Sequence, residues 1–149
     1  MKVSIGADHG GFELKEYLLE NLKNEYEFID EGCFSKDSVD YPLYAKNVAL
    51  DIQNKKAEYG ILICTNGIGI TIAANKFKGI RCALCLNVDM AEHSKLHNDA
   101  NIVSLGATNQ SKEEALSIVK KFLTTEFSYE ERHLRRVNEI ISFEGEEKC

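Results

Sequence analysis

A cysteine precedes a turn that contains two glycines, in the segment Cys64-Thr65-Asn66-Gly67-Ile68-Gly69. The apolar run before Cys64 predicts a strand and the residues after it have helical spacing, so the thiol lies at a strand-to-helix turn. Glycines let the backbone come close to a ligand, and the free N–H groups that begin a helix favour an anion. The same field favours the thiolate form of Cys64. The alternative is a tight turn after a core strand, with Cys64 as a small apolar residue.

Two further pairs of residues could carry chemistry. Asp8 and His9 place an acid beside a base after the first predicted strand. Either they act on a ligand, or Asp8 caps the next helix and His9 is a solvated loop residue. His93 and His97 are four residues apart on a predicted helix, which is a spacing of zinc ligands, but no third ligand is evident. We therefore predict no metal site.

A group of cations stands out in a chain whose net charge is −6. Arg132, His133, Arg135 and Arg136 lie in one predicted helix, where Arg132 and Arg136 share a face and could bind a phosphate. The alternative is a helix whose cations are balanced by neighbouring glutamates. Four cations without interleaved aromatic residues form a poor nucleic-acid surface, and the acidic balance disfavours nucleic acid and membrane surfaces generally. A single small anion fits better.

Residue counting excludes several known chemistries of glycine-rich loops. A cysteine phosphatase needs an arginine six positions after its cysteine, and this chain has Ile70 there. The first turn does not fit the dinucleotide-binding fingerprint, and the phosphate-binding loop of nucleotidases is absent. Cys82 and Cys85 form a lone C-x-x-C whose members point to opposite faces of a strand, so we predict that they are core residues.

The elements that must position these residues alternate along the chain. The apolar spacing predicts strands over 2–7, 26–29, 60–64, 80–86 and 101–105, and helices over 12–23, 43–54, 68–77, 89–97 and 112–125. This order predicts a single-domain α/β/α sandwich over residues 1–149, with a five-stranded parallel sheet of Rossmann-like type and a C-terminal helix over about 128–143. We expect a frayed tail from 144. Ligands of such sheets bind at the carboxyl ends of the strands, where the polar segments above collect.

Composition and cysteine usage indicate the cellular compartment. No apolar run approaches the ~20 residues that span a bilayer. The first nine residues include an acid and a histidine, so the apolar region of a secretory signal is not expected there. The five cysteines are scattered with no disulfide rhythm. We interpret them as reduced thiols and predict a cytoplasmic protein that does not contact a membrane.

Several segments occur together, in a fixed order, over nearly the whole chain. They are Asp8-His9-x-Gly11-Phe12, Asp40-Tyr41-Pro42, Gly60-Ile61-Leu62-Ile63-Cys64, Gly67-Ile68-Gly69-Ile70, Ala73-Ala74-Asn75-Lys76, Gly79-Ile80-Arg81, His97-Asn98-Asp99-Ala100-Asn101 and Arg132-His133-x-x-Arg136-Val137. In these segments the chain resembles the ribose-5-phosphate isomerase B family, which also includes galactose-6-phosphate and allose-6-phosphate isomerases. The resemblance implies aldose–ketose isomerisation of a sugar phosphate through an enediolate, in the pentose phosphate pathway. It also implies no metal or cofactor, and a homodimer or dimer of dimers with sites at the subunit boundary.

The resemblance also assigns roles to residues. Cys64 is the base that moves a proton between C2 and C1, and backbone N–H groups from Gly67 to Gly69 stabilise the enediolate oxygen. His97, from the partner subunit, opens the furanose ring with Asp8 nearby. His9, Arg132 and Arg136 hold the phosphate, whereas Tyr41 and Asn98 contact the sugar. The complete set assigned to the substrate is Asp8, His9, Tyr41, Thr65, Asn66, Gly67, Ile68, Gly69, Asn98, Arg132, His133 and Arg136.

The chain departs from the family pattern at three positions. The family usually reads Cys-Gly-Thr-Gly, so Thr65 adds a side chain in the turn, which must then avoid positive φ there. Asn66, which we count as catalytic, can donate a hydrogen bond through its amide but cannot relay a proton as a hydroxyl can. Thr108 stands where many members have a further phosphate-binding arginine. With one charged contact fewer, we expect either a higher KM or a change in the sugar length that fits.

Two other functions compete with ribose 5-phosphate isomerisation. One is isomerisation of a six-carbon sugar phosphate, allose 6-phosphate or galactose 6-phosphate. Subunits of the galactose enzyme often lack the cysteine, so Cys64 favours the pentose substrate. The other is a non-catalytic sugar-phosphate or nucleotide sensor on the same fold. The joint presence of Cys64, His97 and Asp8 weighs against a sensor, because binding alone needs none of them.

Overall fold

Strands and helices alternate along residues 1–145, which the computed structural model describes. The elements are β1 (Lys2–Ala7), α1 (Phe12–Leu22), β2 (Glu27–Asp30), α2 (Tyr41–Gln53), β3 (Tyr59–Cys64), α3 (Ile68–Ala74), β4 (Cys82–Leu84), α4 (Val88–Asn98), β5 (Ile102–Gly106), α5 (Lys112–Thr124), α6 (Glu131–Ser142) and a final 3-10 turn (Phe143–Gly145). In this part of the chain no helix combines the length and apolar character needed to cross a membrane.

The strands form one parallel sheet in the order β2-β1-β3-β5-β4. This arrangement confirms the predicted α/β fold. The register pairs Ala7 with Ile63 and Cys64 with Gly106, so β1, β3 and β5 end side by side. The loops after these three strands therefore meet at one carboxyl edge of the sheet.

Apolar side chains cover both faces of the sheet. Along β3, Ile61 and Ile63 belong to one buried cluster and Leu62 and Cys64 to the other, as the alternation of a strand requires. The first cluster packs beneath α1 and α5, and the second beneath α2 and α3. Continuous apolar strands are typical of such a sheet, because neither face meets solvent.

The two cysteines of the C-x-x-C segment are core residues, as predicted. Cys82 lies in the cluster with Cys64, and Cys85 lies in the cluster on the opposite face. Burial raises the pKa of Cys82 to about 12 and that of Cys85 to about 11, which keeps both as neutral thiols.

Several element ends differ from the sequence prediction. Helix α2 begins at Tyr41 rather than 43, because Pro42 is tolerated in a first turn that needs no N–H donor. Strand β4 has three residues rather than seven, since it pairs only with β5 at the sheet edge. Glu144, expected in the frayed tail, accepts a hydrogen bond from the Gly79 N–H at 2.8 Å. The rest of that tail, 146–149, lies outside the described residues.

Candidate active site

A cavity of about 300 Å³ opens at the carboxyl edge of the sheet, between the loops that follow β1 and β3 and the start of α2. We call the residues that line it the thiol cluster. They are Asp8, Tyr41, Cys64, Thr65, Asn66, Ile68 and Gly69. Each was assigned to the substrate or to catalysis from the sequence, and the structure brings them together.

The Cys64 thiol lies at the wall of this cavity with 4% of the residue exposed. The Gly67 N–H donates to its sulfur at 3.2 Å. Gly67 has φ of +79°, and a side chain there would lie 2.9 Å from the carbonyl carbon of Leu105. Only glycine therefore lets the chain turn back so that an N–H reaches the thiol.

The rest of the loop after β3 keeps donors near the cavity. The side-chain oxygen of Asn66 accepts a hydrogen bond from the Ile68 N–H at 3.0 Å, which leaves the Asn66 NH₂ group available to donate. Gly69 faces Tyr41, and a side chain at Gly69 would lie 2.6 Å from the tyrosine hydroxyl. The missing side chain thus lets the Tyr41 hydroxyl approach the loop closely.

Asp8 and His9 combine the two interpretations offered by the sequence. Asp8 is buried, and one carboxylate oxygen accepts from the Gly11 N–H at 3.1 Å before α1, yet the residue also lines the cavity. His9 is exposed, and its Nδ1 accepts from the Val39 N–H at 3.2 Å. In a neutral imidazole the proton is then on Nε2, which is left as an N–H donor.

A second group of assigned residues surrounds His97 on α4 and α6. We call His97, Asn98, Arg132, His133 and Arg136 the His97 cluster. The ring of His133 lies 4.2 Å from that of His97, measured between centroids, and its Nδ1 is 2.9 Å from the Ser128 hydroxyl. His133, which the sequence assigned to the substrate, is only 4% exposed and packs beneath His97.

The surroundings of His97 favour its neutral form. Burial lowers the pKa of His97, and the neighbouring His133, His93 and Arg132 lower it further, whereas Glu130 opposes them. His93 contributes as a second ring, 4.9 Å away. Within residues 1–145 no three His, Cys, Asp or Glu side chains are grouped as metal ligands. An imidazole that stays neutral near pH 7 can accept and return a proton.

The two clusters lie at opposite edges of the sheet. His97 and Asn98 end α4, and the Arg81 guanidinium, just before β4, contacts the Asp99 carboxylate at 2.8 Å and so holds this end at the amino edge. Strand β3 has six residues and spans about 17 Å at ~3.3 Å per residue. The structure therefore brings the residues of each cluster together but does not bring Cys64 and His97 together within one chain.

Sequence reasoning named Thr108 but missed the bonds that join the loop after β5 to the turn after β3. The Ala107 N–H donates to the Cys64 carbonyl at 2.9 Å, and Thr108 and Asn109 bind the next two carbonyls. Residue type and spacing do not reveal these bonds, because they depend on the register that ends β3 beside β5.

Comparisons with known proteins agree on the family. The model of the ribose/galactose isomerase family matches residues 3–140. Ribose-5-phosphate isomerase B of Escherichia coli is 40% identical over 144 residues, which are 96% of this chain and 96% of that protein. A solved structure of ribose-5-phosphate isomerase B from Clostridium thermocellum superposes with a TM-score of 0.94 at 46% identity, covering 97% of both chains. One from Thermotoga maritima has a TM-score of 0.92 at 45% identity, covering 95% of this chain and 97% of its own.

Proposed function

The chain belongs to the ribose/galactose isomerase family, and from this membership and the geometry of the thiol cluster we propose that it interconverts ribose 5-phosphate and ribulose 5-phosphate. The proposal rests on the position of the Cys64 thiol. This thiol lines a cavity at the carboxyl edge of the sheet and accepts a hydrogen bond from the backbone N–H of Gly67. A base within reach of a bound sugar is the minimum that a proton transfer between carbons requires.

The chemistry assigned to the thiol cluster is a proton transfer between two adjacent carbons. The Cys64 thiolate removes the proton from C2 of the open-chain aldose, the C2–H electrons form the enediol double bond, and negative charge develops on O1. The O2 hydroxyl proton then passes to O1. As Cys64 returns its proton to C1, the electrons on O2 form the C2=O bond of the ketose. We assign the stabilisation of that charge to the turn 67–69, as in an oxyanion hole. Because the Gly67 N–H meets the Cys64 sulfur and the Ile68 N–H meets the Asn66 side-chain oxygen, this role goes to the Gly69 N–H and the Asn66 amide.

We further propose that the His97 cluster of a second copy completes each site, in a homodimer or a dimer of dimers. This arrangement would bring a neutral imidazole to the ring oxygen for furanose opening. Two observations support it. First, the two clusters lie at opposite edges of the sheet in one chain. Second, exposed apolar side chains lie in and around the thiol cluster: Leu43, Ile68 and Ile72 are 60%, 53% and 56% exposed. Large exposed apolar groups in proximity are typical of a surface that another chain covers.

Phosphate binding is assigned to His9, which follows Asp8 of the thiol cluster, and to two arginines of the His97 cluster. Arg132 and Arg136 would come from the second copy. In the single chain Arg132 is paired with the Glu130 carboxylate at 3.0 Å, so it would have to share its guanidinium. Thr108 is not placed to replace the missing arginine, because its hydroxyl donates to the Thr65 carbonyl at 2.8 Å.

A single assay series tests the proposal. Purified protein is supplied with ribose 5-phosphate or allose 6-phosphate in deuterated solvent. Ketose formation is measured, together with deuterium at C1 of the ketose and at C2 of the recovered aldose. We expect activity on ribose 5-phosphate and deuterium at both positions. Cys64→Ala should lose both by 10²–10⁴-fold, the typical contribution of a general base.

Cys82→Ala is the matched control, because it removes a buried sulfur from the same core cluster without touching the cavity. It should retain activity. Faster turnover of allose 6-phosphate would assign the six-carbon substrate instead. Binding of either sugar phosphate without turnover would indicate a sensor. More than about a tenth of the wild-type kcat in Cys64→Ala would show that the thiol is not the base.

A further inference from the structure

The loop that joins β5 to α5 is fastened to the thiol loop, residues 64–69. The Thr108 N–H and hydroxyl donate to the Thr65 carbonyl at 3.0 and 2.8 Å. The Asn109 side-chain amide donates to the Asn66 carbonyl at 3.0 Å. Thr108 and Asn109 do not line the cavity, and these bonds connect them to it through the thiol loop.

One peptide links Asn109 to the thiol. A trans peptide points its carbonyl and its N–H in opposite directions. The carbonyl of the Asn66–Gly67 peptide accepts from Asn109, and the N–H of the same peptide donates to the Cys64 sulfur at 3.2 Å. The bond at the carbonyl fixes the plane of this peptide and polarises the N–H that meets the sulfur.

We propose that Asn109 is a positioning residue for the catalytic thiol: it holds the Asn66–Gly67 peptide so that its N–H stabilises the Cys64 thiolate. The proposal rests on the proposed function, in which that thiolate is the base. The approach of the two loops depends on Gly106, where a side chain would lie 2.6 Å from the Asn66 carbonyl oxygen. Glycine at this position leaves the space in which the Asn109 amide reaches that carbonyl.

Thr108 makes a comparable bond one peptide earlier, with a different consequence. Its hydroxyl and its backbone N–H share the Thr65 carbonyl, so the loss of the hydroxyl leaves one donor in place. Within residues 1–145 the Asn66 carbonyl accepts only from Asn109. The two side chains therefore differ in importance, and this difference makes the proposal testable.

The test measures the reactivity of Cys64 separately from turnover. Wild type and Asn109→Ala are treated with iodoacetamide at pH 7, and the alkylation rate of Cys64 is followed by peptide mass spectrometry. A neutral hydrogen bond contributes about a two- to tenfold effect. We expect Cys64 in Asn109→Ala to react slower by that factor, and kcat for ribose 5-phosphate to fall similarly with KM unchanged. Asn109→Gln keeps the amide donor and should recover part of both.

Two further variants serve as controls. Thr108→Val should change the alkylation rate less than Asn109→Ala does. Asn21→Ala removes the same kind of amide-to-carbonyl bond, to Tyr17 at 2.8 Å on α1, and should leave Cys64 reactivity as in the wild type.

The outcomes separate this proposal from the proposed function. Alkylation of Cys64 in Asn109→Ala at the wild-type rate would overturn the positioning role, whatever the activity. Exposure of the buried Cys82 to the reagent in the same variant would also overturn it, because the effect would then be general unfolding. Slower alkylation in a protein whose wild type fails to isomerise ribose 5-phosphate would retain the positioning role and reject the proposed function.

Discussion

Two arginines assigned to the phosphate differ in how freely they can bind it. Arg132 shares its guanidinium with Glu130, and both side chains are more than half exposed. Arg136 is also exposed, but it forms no salt bridge within residues 1–145. A cation that already has a partner gains less from a phosphate than one that has none. Arg136 is therefore the residue at which the phosphate assignment is tested most clearly.

Arg136→Ala should weaken binding of the substrate phosphate without affecting the fold. A charge-assisted hydrogen bond is worth ~1.5–3 kcal/mol, so we expect KM for ribose 5-phosphate to rise about ten- to more than a hundredfold, with weaker inhibition by free phosphate. Steady-state kinetics and thermal melting measure the two effects. Arg135→Ala, an exposed neighbour on a different face of α6, is the matched control and should keep the wild-type KM. An unchanged KM with a large fall in Tm for Arg136→Ala would favour the structural role of a charge-balanced helix.

At the scale of single residues, what was predictable followed from side-chain type and local spacing. Cys64, Asp8 and Tyr41 lie together because each follows a strand or begins a helix at the same edge, which the strand–helix order predicts. Asn109 could not be predicted, because its bond to the Asn66 carbonyl depends on the register between β3 and β5. His133 was assigned to the substrate from its place beside Arg132, whereas its burial beneath His97 depends on how α6 packs against α4.

At the scale of elements, the order of strands and helices was predictable and their ends were less so. Apolar periodicity locates a helix, whereas its first and last residues depend on caps and tertiary contacts. Helix α4 shows this: Asn87 caps it through a bond from the Met90 N–H, and its end at Asn98 is followed by Asp99 with φ of 47°. The same helix buries a lysine, Lys95, whose residue type is typical of the surface although its spacing from the buried Ala91 and Ser94 puts it on the inner face.

Lys95 is 1% exposed and forms no salt bridge within residues 1–145. Its ammonium donates to the Ala100 carbonyl at 3.3 Å and lies 4.0 Å from the centre of the Tyr59 ring. Burial lowers the pKa of Lys95 from 10.5 to about 8, with Asp99 opposing and Arg81 adding to the shift. Between these two values the folded chain binds fewer protons than the unfolded chain, so raising the pH favours the folded state.

Lys95→Met should remove this pH dependence while it fills the same space. We expect the free energy of unfolding of the wild type, relative to that of Lys95→Met, to increase from pH 7 to pH 9.5. Urea unfolding of both proteins at the two pH values measures the difference. Lys46→Met, at an exposed lysine of α2, should follow the wild type. An equal change of stability with pH in wild type and Lys95→Met would contradict the assignment.

At the scale of the whole molecule, the parallel topology separates the two halves of the proposed site. Every helix that follows a strand returns to the amino edge, so residues at the end of α4 are placed about one strand length from residues at the ends of β1 and β3. The sequence predicts this separation through the strand–helix order. The geometry of the second copy cannot be predicted in the same way, since it depends on surfaces of two folded chains.

Subunit mixing tests whether the two clusters meet across a dimer. Cys64→Ala and His97→Ala should each be inactive alone, because each dimer then carries the same lesion in both sites. In a mixed dimer one site has both lesions and the other has neither, since Cys64 and His97 of one site come from different copies. Random exchange of equal amounts makes about half of the dimers mixed, so activity should return to roughly a quarter of the wild-type value. Exchange is verified by mass spectrometry of differently tagged chains, and mixing wild type with Cys64→Ala calibrates it. If verified exchange restores no activity, His97 acts within its own chain or not at all, and the shared site is wrong.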